Sequence, residues 1–301
     1  MKYYIVDAFT DKPFGGNTAG VVLLEGNDFP DDGLMQDIAA ELRYSETAFV
    51  RRDGDSRYTV RYFTPKGEVE LCGHATIATF SLLHQLGLAS GLCCCRTLAG
   101  DLEVEAAERV MMQMATPRIV STLGEEDTAE AYLAVGLSGY HPTLPVQIAY
   151  SGLADVMLPM PSVEVLNALQ PDMEAVSALT KRLDAVSIHP FAFGDDGYTA
   201  HVRDFAPAYG VPEESATGTA NAAMTHYLAT HGIIAAGDHR FLQGETMGRP
   251  SVVETRLDAD GSIRVGGTAA IVAEGVLKDE CVATMLQHTG LKQRPEKQDN
   301  G

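Results

Sequence analysis

Two carboxylates and a histidine in this 301-residue chain stand where acid–base chemistry could use them. Glu46, in Tyr44-Ser45-Glu46-Thr47-Ala48-Phe49-Val50, sits where an apolar strand begins. A carboxylate there is either a turn residue between helix and strand or a buried general base. His74 opens a run with helical periodicity, a place where histidine is not a favoured cap, which points to a role beyond capping. Glu214, with Glu213 beside it, precedes a second such run. One of that pair is solvated or capping, and the other could face a cleft.

The two helical runs begin alike, at Cys72-Gly73-His74-Ala75 and at Thr217-Gly218-Thr219-Ala220. Each reads as extended chain, glycine, a small or polar residue, then helix. Glycine permits close backbone approach or positive φ. The first free N–H groups of a helix form a donor cluster suited to a carboxylate. The plain alternative is that glycine and alanine let a helix pack closely on a sheet. Two copies at equivalent places favour a shared site lining a cleft, with Gly73, Ala75, Gly218, Thr219 and Ala220 on the substrate.

The elements that must position these residues are legible as a duplication. Arg61-Tyr62-Phe63-Thr64-Pro65 matches Arg203-Asp204-Phe205-Ala206-Pro207 at an offset of 142, and Gly73-His74-Ala75 matches Gly218-Thr219-Ala220 at 145. A repeat of that length is a duplicated domain, not a solenoid unit. Strand patterns at Lys2–Phe9, Ala19–Leu24, Glu46–Arg52, Tyr58–Phe63, Leu92–Leu98, Gly100–Glu105 and Arg109–Met114 accompany helices at Asp31–Leu42 and Ala75–Leu86. The second half offers helices at Asp172–Leu183 and Asn221–His231, strands at Ala185–Phe193 and Tyr198–Phe205, and a hairpin of Ser251–Leu257 with Gly261–Ala270. The boundary falls near Thr116–Pro117, giving lobes 1–116 and 117–277. Segment 278–293 is expected to pack on the first lobe, and 294–301 to fray.

A formal net charge of −19 argues against a nucleic-acid or anionic-membrane partner, since phosphate binding needs a local excess of Lys and Arg. It leaves room for a small anionic substrate held by a few local donors. Of five cysteines, Cys93, Cys94 and Cys95 are consecutive, and alternating strand side chains cannot gather them on one metal. The amino terminus reads directly as a strand and no apolar run approaches a membrane span, so the cytoplasm is the expected compartment.

The sequence resembles the PhzF-like family of phenazine biosynthesis, within the diaminopimelate-epimerase-like fold. The resemblance rests on Val6-Asp7-Ala8-Phe9-Thr10, Pro13-Phe14-Gly15-Gly16-Asn17-Thr18-Ala19-Gly20-Val21, Ser45-Glu46-Thr47-Ala48-Phe49 and Glu70-Leu71-Cys72-Gly73-His74-Ala75-Thr76. It continues through Glu213-Glu214-Ser215-Ala216-Thr217-Gly218-Thr219-Ala220, Gln243-Gly244 and Met247-Gly248-Arg249-Pro250-Ser251. The resemblance implies an α+β fold of two similar duplicated lobes, each a barrel-like sheet around a central helix, with the site in the cleft between them. It implies an isomerase in which Glu46 shuttles the proton, His74 and Glu214 assist, and Asn17 contacts substrate, with no metal or organic cofactor. Its characterised reaction moves a proton within trans-2,3-dihydro-3-hydroxyanthranilate, a cyclic carboxylic acid, and the assembly it implies is a homodimer. Where the family commonly carries Asp-Pro-Ala-Thr-Gly-Ser, this chain has Glu214-Ser215-Ala216-Thr217-Gly218-Thr219, keeping a carboxylate with one more methylene.

Two-thiol racemases and epimerases of the wider fold carry a cysteine at each junction. Here Cys72 stands at the first and Thr217 at the second. A threonine alkoxide is too unfavourable near neutral pH to replace a thiolate. An epimerase, racemase or dehydratase using Cys72 with another base is the alternative enzyme, and a non-catalytic small-molecule-binding protein is the alternative outside catalysis.

Overall fold

The computed structural model describes residues 1–26 and 28–278. The first half runs β1 (Lys2–Ala8), β2 (Asn17–Leu23), α1 (Asp32–Leu42), β3 (Thr47–Arg52), β4 (Arg57–Thr64), β5 (Gly67–Val69), α2 (Gly73–Gln85), β6 (Gly91–Thr97), β7 (Gly100–Ala106) and β8 (Val110–Gln113). The second runs β9 (Arg118–Thr122), α3 (Glu125–Ala134), β10 (Gln147–Tyr150), β11 (Ala154–Pro159), α4 (Val163–Ala168), α5 (Met173–Arg182), β12 (Ser187–Ala192) and β13 (Ala200–Val202). It closes with α6 (Gly218–Thr230), β14 (Gly237–Gln243), β15 (Ser251–Leu257), β16 (Ile263–Gly267) and β17 (Ala269–Val276).

Hydrogen-bonded neighbours can be followed in one open path, β17-β1-β2-β3-β4-β6-β7-β8 and then β16-β15-β14-β13-β12-β11-β10-β9. The path reads the same from either end. Parallel pairs β2–β3 and β4–β6 in the first half answer β11–β12 and β13–β14 in the second. A parallel pair needs a crossover, and α1 and α2 supply it in the first half as α5 and α6 do in the second. This is the α+β duplication expected from the repeat.

The central helices follow from composition. The α2 run GHATIATFSLLHQ has no wet face, and every residue from His74 to Leu83 is buried. A helix apolar all round must be surrounded. It packs against β1, β2, β3, β7, β8 and β17, with Phe80 edge-on to Tyr58 at 5.5 Å. In the second half α6 is likewise enclosed by β9, β10, β11, β15 and β16, and Tyr227 lies edge-on to Phe191 at 5.7 Å. By contrast α1 and α5 lie outside, capped by Asp31 and Asp172, whose carboxylates accept backbone N–H bonds of their first turns.

Three features depart from the sequence expectations. Both central helices begin at the junction glycines, at Gly73 and Gly218, earlier than Ala75 and Asn221. The Tyr198–Phe205 strand shortens to β13, because Phe205 leaves the ladder to bridge Ile188. The expected strand Gly261–Ala270 is two strands: β16 pairs with β15 and β8, whereas β17 pairs with β1 in the other half. The stretch assigned to 117–277 therefore ends inside the sheet of the first half, where Leu277 N–H also donates to Met1 O at 2.9 Å. Residues 279–293 and the tail 294–301 lie outside the described residues. On β6, Cys93 and Cys95 are buried and Cys94 half-buried, the alternation expected of consecutive strand thiols.

Candidate active site

Glu46 stands immediately before β3, its carbonyl accepting from Gly20 N–H at 3.0 Å, which fixes the residue at the edge of the parallel β2–β3 pair. Its side chain is 19% exposed, and its Oε2 lies 3.3 Å from His74 Nε2. That approach lacks hydrogen-bond alignment, and Oε2 is a buried oxygen with no hydrogen-bond partner. His74 sits on the first turn of α2, with Ser45 Oγ 3.3 Å from Nε2 and Cys72 Sγ 3.4 Å from Nδ1. Burial pulls the imidazole below its ordinary pKa, against the opposing pull of Glu46, so near neutrality the ring is neutral. Burial pushes the Cys72 thiol well up, and the Glu46 charge pushes it further, so a free thiolate is disfavoured.

Glu46, Cys72 and His74 offer ligand atoms within 4.8 Å of one another. By type these are atoms a zinc ion takes. They make this trio the group among the described residues best suited to a metal, and the same atoms serve metal-free acid–base work equally.

The adjacent acidic pair divides as its positions allow. Glu213 accepts both arms of Arg203, at 2.8 and 2.9 Å, and serves structure. Glu214 turns to the other half, where its Oε1 accepts from Asn17 Nδ2, which also donates to Ala216 O at 3.1 Å. Burial pushes the Glu214 carboxyl up to about 8; the Asn17 bond opposes this, and Asp204 and Glu46 add to it. Glu214 and Glu46 thus sense one another although they lie on different halves of the duplication. Near neutrality Glu214 holds its proton.

The junctions behave alike. Cys72 and Thr217 are the N-cap residues of α2 and α6, and neither makes a side-chain cap bond. Neither Gly73 nor Gly218 has a positive φ. A methyl group on Gly73 would come no closer than 3.9 Å to Met112, and one on Gly218 no closer than 3.5 Å to Val265. Close packing within the protein therefore does not account for either glycine. Gly16 differs, for its φ is +63° and a side chain there would collide with the Ala8 carbonyl. The loop it shapes is clamped by Arg249, which donates to Gly15 O, Gly16 O, the buried Asp7 carboxylate and Thr18 Oγ1. That clamp sets Asn17 against Glu214.

Of the residues expected at the site, Glu46 and His74 adjoin, Asn17 and Glu214 adjoin, and Gly73, Ala75, Gly218, Thr219 and Ala220 form the first turns of the two central helices. Sequence reasoning noted Gln243 only as part of a motif and gave it no role; it is buried and holds Glu214 O and Thr217 Oγ1 through Nε2 at 2.9 and 3.0 Å. Sequence reasoning likewise gave no role to Asp204, buried beneath Thr217. A signal existed for Asp204, since a carboxylate replaces Tyr62 in an otherwise apolar strand motif.

A sequence profile of the family described as phenazine biosynthesis-like protein (PhzC-PhzF) matches residues 6–275. An uncharacterized isomerase of Escherichia coli K12 is 35% identical, the match covering 90% of this chain and 96% of that protein. The trans-2,3-dihydro-3-hydroxyanthranilate isomerase of Pseudomonas fluorescens is 33% identical over 92% of this chain and 99% of its own. Among solved structures, a PhzF-family phenazine biosynthesis protein of Bacillus anthracis superposes with a TM-score of 0.81 at 28% identity, covering 92% of this chain and 99% of that one. A hydroxyproline epimerase of Agrobacterium vitis, 14% identical with a TM-score of 0.58 and 91% coverage of both chains, shares the fold.

Proposed function

The chain belongs to the phenazine biosynthesis-like (PhzF) family of isomerases, and from that premise we propose that it moves a proton within a small unsaturated or cyclic carboxylic acid by single-carboxylate catalysis. The observation that carries this reading is the buried Glu46 Oε2, free of hydrogen bonds and 3.3 Å from a His74 whose burial keeps it neutral. A buried carboxylate oxygen with no hydrogen-bond partner is available to accept a proton. Glu46 takes a proton from one carbon of the substrate and returns it to another. Neutral His74 and protonated Glu214 donate hydrogen bonds to the charge that develops, and the first-turn N–H groups of α2 and α6 hold the substrate carboxylate. In support, a methyl group at Gly73 or Gly218 would meet its protein neighbours only at ordinary contact distance, so the protein's own packing does not require either glycine. The name of the Pseudomonas fluorescens relative supports a cyclic acid as the substrate class. The working form belonging to this reading is a cytoplasmic homodimer, the assembly that the family resemblance implies; separately, no helix among the described residues is long and apolar enough to cross a membrane.

Glu46→Gln should retain binding and lose turnover by about a thousandfold, the scale of a general base. Turnover in deuterium oxide would locate the moved proton. A Glu46→Gln enzyme that converts its substrate at the native rate would sink the proposal. The 3.4 Å contact of Cys72 with His74 favours a second reading, thiol-based epimerisation or dehydration. Cys72→Ser retaining activity while Glu46→Gln loses it sets that reading aside.

A further inference from the structure

Threonine is a favoured N-cap because its hydroxyl accepts an N–H bond from the first turn. Thr217 occupies that position on α6 and does not do so. Its hydroxyl donates to Asp204 Oδ2 at 3.1 Å and accepts from Gln243 Nε2 at 3.0 Å, while its backbone N–H donates to Gln243 Oε1 at 3.1 Å. Among the described residues the N–H groups of Gly218, Thr219 and Ala220 have no protein acceptor, and the first bond of the helix is Asn221 N–H to Thr217 O. In the first half the equivalent residue is Cys72, whose thiol is a weak acceptor and makes no side-chain cap bond. The second half reaches the same state with a residue able to cap, because a buried carboxylate has claimed the hydroxyl.

Asp204 is itself held from behind. Its Oδ1 lies 2.6 Å from Ser187 Oγ and 2.9 Å from His189 Nδ1, and Ser187 Oγ lies 2.9 Å from Asp155 Oδ1. One hydroxyl carries one hydrogen, so both Ser187 contacts are hydrogen bonds only if one of the two carboxyls contributes a proton. Burial and the neighbouring Asp204 push the Asp155 carboxyl well up, consistent with its holding that proton. The Asp204 backbone carbonyl also accepts from Glu214 N–H at 3.0 Å.

We infer that Asp204 is a positioning residue, which withholds the Thr217 hydroxyl from the first turn of α6 and so leaves the Thr219 and Ala220 N–H groups open to the anionic group of the substrate. The inference rests on the proposed carboxylate binding, and its test does not require turnover. Amide hydrogen exchange at Thr219 and Ala220, and the affinity for benzoate as a carboxylate probe, are measured on the full chain. In Asp204→Leu, which removes the hydroxyl's acceptor at similar size, the released hydroxyl caps the helix, slowing exchange at these amides and weakening benzoate, each by about tenfold, the scale of one hydrogen bond. Thr217→Val alone leaves both near their native values, and Asp204→Leu/Thr217→Val restores both. Unchanged exchange in Asp204→Leu, or a double variant as impaired as the single one, overturns the inference. So does faster exchange in Thr217→Val, which stands as a test even if Asp204→Leu does not fold, because it means the hydroxyl was already a cap. A native chain that fails to bind benzoate at millimolar concentration removes the anion role while leaving the Glu46 reading to its own experiment.

Discussion

Glu214 illustrates how one residue's surroundings reach the behaviour of the whole chain. Folding raises its carboxyl from the ordinary 4.5 to about 8, mainly by burial. The native state therefore keeps a proton that the unfolded chain has lost, and stability falls as pH rises through this window. Its contribution is fully present below about 4.5, declines by at most about 1.4 kcal/mol per pH unit, and is gone above the folded value. Urea unfolding from pH 5 to 9 should display that decline, and Glu214→Gln should flatten it; an unchanged slope in the variant would mean the proton sits elsewhere. Turnover that relies on protonated Glu214 should hold through neutrality and fade only as pH rises through about 8, the folded value. At this scale Glu46, His74 and Glu214 were legible because a lone polar group beside an apolar run is conspicuous. Asp204 left a trace in its replacement of Tyr62 within the repeated motif, but what it and Gln243 do depends on Thr217 facing them across the fold, and no local pattern records that.

Elements carry a contrast between two kinds of glycine. Gly218 opens α6 with room for a methyl group, whereas a Cβ on Gly266 in β16 would lie 1.7 Å from the Val110 carbonyl oxygen in β8. A methyl on the first would meet only the Val265 and Phe9 side chains at ordinary contact distance, whereas the second holds the seam where the two halves pair. Gly218→Ala should change stability by no more than about 1 kcal/mol while raising KM at least about tenfold. Gly266→Ala should cost more than about 3 kcal/mol, since a backbone carbonyl cannot rotate aside as a side chain can. Thermal melts with kinetics on the same preparations separate these outcomes, and a Gly218→Ala enzyme with native KM would place the ligand elsewhere. Central helices were readable from runs of small apolar residues with no polar face. Short elements such as β9–β11 and α3 were missed, being too brief or too mixed for periodicity to register. The change of partner between β16 and β17 was missed because strand character continues through Gly267 and Thr268 while the neighbouring strand changes.

On the scale of the molecule, that change of partner determines how the duplication behaves. Two lobes joined only by a linker would melt separately. Here β8 pairs with β16 across the centre, and β17 runs back to complete the sheet beside β1. The β1–β2 loop is held by Arg249 from beyond β14, and Asn17 on β2 is bonded to Glu214 before α6. Neither half can loosen without breaking backbone ladders of the other, and the candidate site takes residues from both. Calorimetry should therefore give one transition, with equal calorimetric and van't Hoff enthalpies. The isolated fragment 1–116, which lacks β17 and leaves β1 as an open edge, should not fold by itself. Two resolved transitions, or a folded 1–116 fragment, would mean that the seam is an interface between independent domains. The site would then depend on how those domains dock, whereas a single transition makes its geometry as stable as the fold.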